Sequence, residues 1–133
     1  MVGAFLVRHD SASAAFVRRQ LADDLTQYDL SSDVIDDVIL VASELVGNAV
    51  RHTSVSRSGT LDVSWDVDAT GVRVCVADPS STKPRTRVAS PGATSGRGLR
   101  IVDAVSDDWG VECAAHGKRV WAHVPARRDA PPL

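Results

Sequence analysis

The chain has 133 residues, 44% of them hydrophobic, and a formal net charge of −2. That length supports a single domain with a substantial core, and the near-neutral charge removes the overall electrostatic case for direct nucleic-acid binding. Aromatic residues make up only 5%, too few for a base-stacking platform.

Ala4–Val7 is a short apolar run that predicts an edge strand. Ser11 or Ser13 is placed to cap a first helix carrying Phe16, Val17, Leu21, Leu25 and Tyr28 inward. Arg18 and Arg19 lie off that stripe, either as a solvated face or as partner contacts. Asp29–Ser32 breaks the pattern. A second helix then starts with Asp33, Asp36 and Asp37, where negative charge suits the positive end of the helix dipole, and runs to about His52. Leu61, Val63, Trp65 and Val67 alternate with polar residues and predict a half-buried strand. A turn at 68–71 leads into Val72, Val74 and Val76, so the two strands should form an antiparallel hairpin. Residues 79–95 are rich in Pro, Ser and Thr, contain Lys83, Arg85 and Arg87, and predict a long loop or lid. A third helix follows Gly96-Arg97-Gly98-Leu99 and turns Leu99, Val102 and Val105 inward. Val111–Ala115 and Val120–Val124 form a closing hairpin, and 126–133 reads as a frayed tail.

Met1–Asp10 lacks the charged lead and long apolar run of a signal peptide. The Val38–Ala42 run is far too short to span a bilayer. A cytoplasmic protein without membrane contact is therefore expected. Cys75 and Cys113 sit in predicted strands with no Cys-x-x-Cys spacing, so they are expected to be buried, reduced thiols rather than zinc ligands.

Chemistry concentrates in three places. Glu44 and Asn48 are one turn apart and project together from the rim of the stripe formed by Val34, Val38, Val41, Leu45 and Ala49. An Asn oxygen is a hard Mg²⁺ ligand, and a Glu can orient or deprotonate a hydroxyl; a hydrated helix edge is the plain alternative. Period two puts Asp78 on the face of Val72, Val74 and Val76, towards the helices, where burying a charge requires a partner or ligand. Gly96 and Gly98 precede a helix N-terminus, whose free N–H groups can approach an anion. The spacing is neither a Rossmann fingerprint, since Ile101 stands where the third Gly would be, nor a Walker A loop.

The order Glu44…Asn48, Asp78, basic lid, Gly96-x-Gly98-Leu99, closing hairpin resembles the GHKL ATPases with the Bergerat nucleotide-binding fold. The likeness covers nearly the whole chain. It is strongest to stand-alone bacterial anti-sigma-factor serine/threonine kinases, particularly the actinobacterial group, through Glu44-Leu45-Val46-x-Asn48-Ala49-x-x-His52, Gly96-Arg97-Gly98-Leu99, Trp109-Gly110 and Gly117-Lys118-x-Val120-Trp121. The resemblance implies an α/β (α+β) two-layer sandwich, with a mixed, largely antiparallel sheet, helices on one face, and ATP held in the helix layer. It implies one ATP-binding domain over 1–125 with an ATP lid at 79–95. By position, Glu44 would be the general base and Asn48 the Mg²⁺ ligand. Asp78 would accept the adenine amino group beside Ala49, and Gly96, Arg97, Gly98 and Leu99 would contact the phosphates. The implied partners are a sigma factor and an antagonist protein that is phosphorylated, with a homodimer as the implied assembly. A non-catalytic, ATP-gated binding module is the alternative. Two positions depart from the pattern: Asp78 is followed by Pro79-Ser80-Ser81 instead of glycines, and Arg119 stands about where a threonine often supports the adenine contacts. Without an upstream phospho-accepting helix, a sensor-kinase fragment is disfavoured.

Overall fold

A computed structural model describes residues 2–8, 10, 12–52, 59–78, 97–114 and 117–126. The elements are β1 (Val2–Arg8), α1 (Ser13–Leu25), α2 (Ser32–His52), β2 (Thr60–Asp68), β3 (Gly71–Asp78), α3 (Arg97–Val105), β4 (Asp108–Ala114) and β5 (Gly117–Pro125). The strands form one sheet in the order β1-β2-β3-β5-β4, with the helices against one face. This is the expected two-layer α/β sandwich. The expected mixed sheet is corrected in one respect: all four pairings between the described strands are antiparallel. The long link through α3 and β4 brings β5 back beside β3 as an antiparallel neighbour.

Alternation in the strands decides which side chains meet the helices. Leu61, Val63 and Trp65 on β2, Val72, Val74 and Val76 on β3, and Val120, Ala122 and Val124 on β5 are buried, while Asp62, Asp66, Arg73 and Arg119 between them are exposed. Helix α2 lies over the middle of this surface and touches α1, α3, β3 and β5. Its buried set contains the expected Val34, Val38, Val41, Leu45 and Ala49, widened by Ala42 and Val46. The widening follows from its central position, with a helix on either side as well as the sheet beneath.

The start of α1 differs from the sequence expectation. Ala12 occupies the N-cap position, and its N–H donates to Asp10 Oδ1 at 2.8 Å, so Asp10 supplies the polar turn ahead of the helix. Ser13 is buried, and its hydroxyl donates to the Arg8 carbonyl at 2.7 Å, tying α1 to the end of β1. Phe16, expected inward, is 41% exposed, because the buried stripe runs through positions 13, 17, 21 and 25. At α2, the Val34 N–H donates to Ser31 Oγ at 3.2 Å, closing that N-terminus as the break at 29–32 suggested.

Each edge strand carries a glycine covered by a tryptophan from its inner neighbour. Gly3 pairs with Trp65 and Gly110 with Trp121, and the indole occupies the space a side chain would need in both cases. The Trp65 Nε1–H also donates to Asp24 Oδ2, fastening α1 to β2. Cys75 is a free thiol only half buried on the sheet face away from the helices, rather than in the core; burial pushes its thiol up from the ordinary value. The side chain of Cys113, the residues 79–96 and the tail 127–133 lie outside what is described.

Gly71 closes the β2–β3 turn with φ 146°, and a Cβ there would collide with the Val124 carbonyl oxygen. Gly59 has φ 66° with open space around it. Gly71→Ala should therefore cost about 2 kcal/mol or more, whereas Gly59→Ala should cost about 1 kcal/mol, the left-handed backbone penalty alone. Urea denaturation of both variants checks this ranking.

Candidate functional site

The sheet register defines one end of the molecule. Arg8 pairs with Thr60, Asp62 with Ala77, Asp78 with Lys118 and Ala114 with Gly117. The start of α1 is held at this end by the Ser13–Arg8 bond. Helix α2 ends on this side, since it begins just after α1 has crossed to the other. Helix α3 starts here, because its far end is joined to the opposite edge by the Asp107 N–H to His123 carbonyl bond at 3.0 Å. The C-terminal half of α2, the C-terminus of β3 and the N-terminus of α3 thus converge.

Asn48 and Asp78 are buried polar residues at this convergence, with exposures of 3% and 6%. Asn48 is held there by its own helix, whose neighbouring residues Leu45, Val46 and Ala49 are in the core. Its Oδ1 is buried without a hydrogen-bond partner among the described residues. A lone buried carbonyl oxygen costs about 1–3 kcal/mol, a cost that a donor or cation reaching it would offset. Glu44 lies one turn earlier on α2 and is partly exposed, at the margin the periodicity indicated. Asp78 ends β3 on the helix-facing side, in line with Val72, Val74 and Val76.

Arg97, Gly98 and Leu99 form the first turn of α3. Leu99 is 2% exposed and belongs to the core cluster, so its backbone N–H, not its side chain, is the group available to an anion. Gly96 and the proposed lid 79–95 fall outside the described residues. Among the described residues no group of three or more His, Cys, Asp or Glu side chains is placed to hold a metal.

The register also reassigns the basic residues of β5. Arg119, which sequence reasoning set beside the adenine position, is exposed and alternates onto the far face of the sheet with Trp121. Lys118 is the residue opposite Asp78, on the helix-facing side. No local sequence signal gives Lys118 a site position, because only the pairing of β3 with β5 puts it next to Asp78. Arg18, offered as a possible partner contact, donates to Ser43 Oγ at 3.0 Å and joins α1 to α2 next to Glu44.

The profile of the histidine kinase-like ATPase domain matches residues 7–124. The chain belongs to that family. The expected likeness to GHKL ATPases is thereby borne out, and the fold is that of a kinase-like ATPase domain. Solved structures that share it include these two. One holds the RsbU and RsbW domains of Rv1364c from Mycobacterium tuberculosis, with 19% identity, a TM-score of 0.66, and coverage of 92% of this chain and 32% of that one. The other is the histidine kinase domain of the blue-light activated histidine kinase from Erythrobacter litoralis EL346, with 16% identity, a TM-score of 0.58, and coverage of 87% of this chain and 60% of that one. This chain thus spans less than two thirds of either structure's length. A search of curated proteins gives no match. No helix among the described residues is long and apolar enough to cross a membrane.

Asn48→Ala should cost the nucleotide-free domain about 1 kcal/mol or less, because the oxygen removed has no hydrogen-bond partner among the described residues. Leu45→Ala, three residues away in the core, should cost about 3 kcal/mol. Equilibrium urea unfolding without nucleotide compares the two.

Proposed function

We propose that this ATPase domain is a protein serine/threonine kinase of the anti-sigma type, acting with Mg·ATP on a hydroxyl of an antagonist protein and holding a sigma factor when that antagonist is phosphorylated. The observation that carries the reading is the buried Asn48 Oδ1, without a hydrogen-bond partner among the described residues and one helical turn from Glu44, in a domain of the histidine kinase-like ATPase family. The similarity in fold to the RsbW-containing structure supports the same direction at the level of fold.

A hard oxygen such as Asn48 Oδ1 fits Mg²⁺, which favours few protein ligands and fills its octahedron with phosphate and water oxygens. With a single protein ligand proposed, the donor set matches that habit. When bound, the metal neutralises charge on the phosphates. Asp78 would accept the adenine amino hydrogen at the floor of the site, with Ala49 beside it. Backbone N–H groups of Arg97, Gly98 and Leu99 in the first turn of α3, and of Gly96 just ahead of it in sequence, would meet the phosphates. Glu44, partly exposed while its helix is locked in the core, would take the proton of the acceptor hydroxyl as that oxygen bonds to the γ-phosphorus and ADP leaves. We place the domain at 1–125, with 79–95 as the ATP lid. A homodimer and a cytoplasmic location belong to the same proposal.

The second reading, a nucleotide-gated module that grips a partner without turnover, is favoured by one feature: Pro79-Ser80-Ser81 follows Asp78 where the family pattern has glycines. Glu44→Gln separates the two. It preserves shape and should leave Mg·ATP affinity within about twofold in titration calorimetry, while cutting phosphate transfer by about 100-fold or more in a radiolabel assay with captured partner. Wild-type transfer by Glu44→Gln removes Glu44 as base. No transfer by the wild type, with nucleotide-dependent capture intact, leaves the gated module. Neither heat nor a thermal shift with millimolar Mg·ATP, where about 2.7 kcal/mol of stabilisation is expected at a hundredfold excess over Kd, defeats both.

A further inference from the structure

At the end of the sheet away from the candidate site, four side chains make a continuous line across three parts of the fold. Asp107, in the link between α3 and β4, places Oδ1 2.6 Å from His123 Nδ1. His123 Nε2 is 3.0 Å from Thr70 Oγ1. Thr70 Oγ1 is in turn 2.5 Å from Asp68 Oδ1, which also accepts the N–H groups of Thr70 and Gly71 at 2.8 and 3.3 Å. Carboxylate, imidazole and hydroxyl occur here in the order used by hydrolases. Thr70, however, sits on an exposed turn with its hydroxyl engaged by Asp68, which makes the line a fastening rather than a nucleophile.

The number of protons decides when the fastening is complete. Ionised Asp107 and Asp68 at the two ends can only accept. A neutral imidazole brings one N–H and the threonine one O–H, which is two protons for three contacts. With Nδ1–H given to Asp107, the hydroxyl serves either Asp68 or Nε2, and the other contact is left as two facing lone pairs. An imidazolium adds the third proton. Nδ1–H then donates to Asp107, Nε2–H to Thr70 Oγ1, and the threonine O–H to Asp68.

We propose that His123 is a proton-operated clasp, closed in its imidazolium form, that joins the α3–β4 link to the β2–β3 turn. Among the described residues, the remaining charged groups facing it are its register partners, Asp108 on β4 and Arg73 on β3. Asp108 adds a third carboxylate in favour of the cation. Arg73 opposes it, but its guanidinium is drawn over the Trp121 ring, 4.0 Å from the centroid, and Asp66 stands opposite it across β2–β3. The backbone bond from the Asp107 N–H to the His123 carbonyl is indifferent to pH, so opening the clasp loosens the link without detaching it. The helix held at this end is the one whose first turn carries Gly98 and Leu99, but the clasp stands independently of the nucleotide reading.

The sign follows from which form completes the network. The three contacts are all made when the imidazole carries both of its protons, so the clasp stabilises the fold in acid and is lost with the second imidazole proton. On the acid side it is lost when Asp68 takes a proton. The Thr70 hydroxyl bond, followed by the Thr70 backbone bond, holds that carboxyl below its ordinary value, so the clasp extends into acid.

Denaturant unfolding of the full chain from about pH 5 to about pH 8, for wild type, His123→Gln and Thr70→Val, tests the proposal. The folding equilibrium constant of the wild type should fall about fivefold more across this range than that of His123→Gln. Thr70→Val keeps the imidazole and Asp107 but deletes the middle contact, and should lose most of that difference. Parallel curves for wild type and His123→Gln overturn the proposal, and so does a full wild-type pH dependence in Thr70→Val. If His123→Gln fails to fold, the comparison of wild type with Thr70→Val decides alone.

Discussion

The burial of α2 against the inner face of the sheet is the constraint on which the remaining arrangement depends. Val34, Val38, Val41, Leu45 and Ala49 enter the core over most of the length of one 21-residue helix. Each contributes hydrophobic free energy on the order of 1–3 kcal/mol, and together they fix both the rotation and the depth of the helix. Asn48 and Glu44 are carried on the same rigid rod. Their positions, buried for one and at the rim for the other, are consequences of where the apolar residues lie. A site residue on a loop would require its own restraints; here the core provides them.

The second requirement is that the other groups come to the same end of the molecule. Antiparallel pairing accomplishes this, since β3 and β5 run in opposite directions and bring Asp78 beside Lys118. Helix α3 then begins where β3 ended, and its core residues Leu99 and Val102 hold its first turns against α2. Among the described residues, two buried side-chain oxygens have no hydrogen-bond partner, Asn48 Oδ1 at this end and Ser106 Oγ just past α3. A protein loses stability by keeping such an atom unsatisfied, and the metal contact proposed for Asn48 would relieve that cost. At the opposite end, Asp68, Thr70, His123 and Asp107 join three segments through polar contacts on the surface rather than through burial. The molecule therefore has a polar site at one end, a polar fastening at the other, and an apolar layer between them.

Much of this was legible in the sequence, because the signals are local and periodic. The period-two runs from Leu61 to Val76 gave both the hairpin and the inward placing of Asp78, and the 3.6-residue period of α2 gave the faces of Asn48 and Glu44. The errors lie where a residue's environment is set by parts of the chain distant in sequence. Phe16 was expected inward because it is large and apolar, yet the stripe that meets α2 and the sheet passes through Val17 and Leu21. Ser13 was expected as a cap, but the chain reversal after β1 puts its hydroxyl within reach of the Arg8 carbonyl. Cys75 was expected in the core, although it alternates with Val74 and Val76 and so lies on the other face.

The sequence by itself determined the element types, the hairpins, the membership of Asn48 in a helix and Asp78 in a strand, and the order of motifs that marks the family. Each rests on spacing within a few residues, and backbone geometry converts such spacing into a face directly. Only the tertiary structure decided the strand order, the antiparallel return of β5, the exchange of Arg119 for Lys118 beside Asp78, and the meeting of His123 with Asp107 and Thr70. Those depend on pairing between segments far apart in the chain, where a shift of one residue in register turns every side chain to the opposite face.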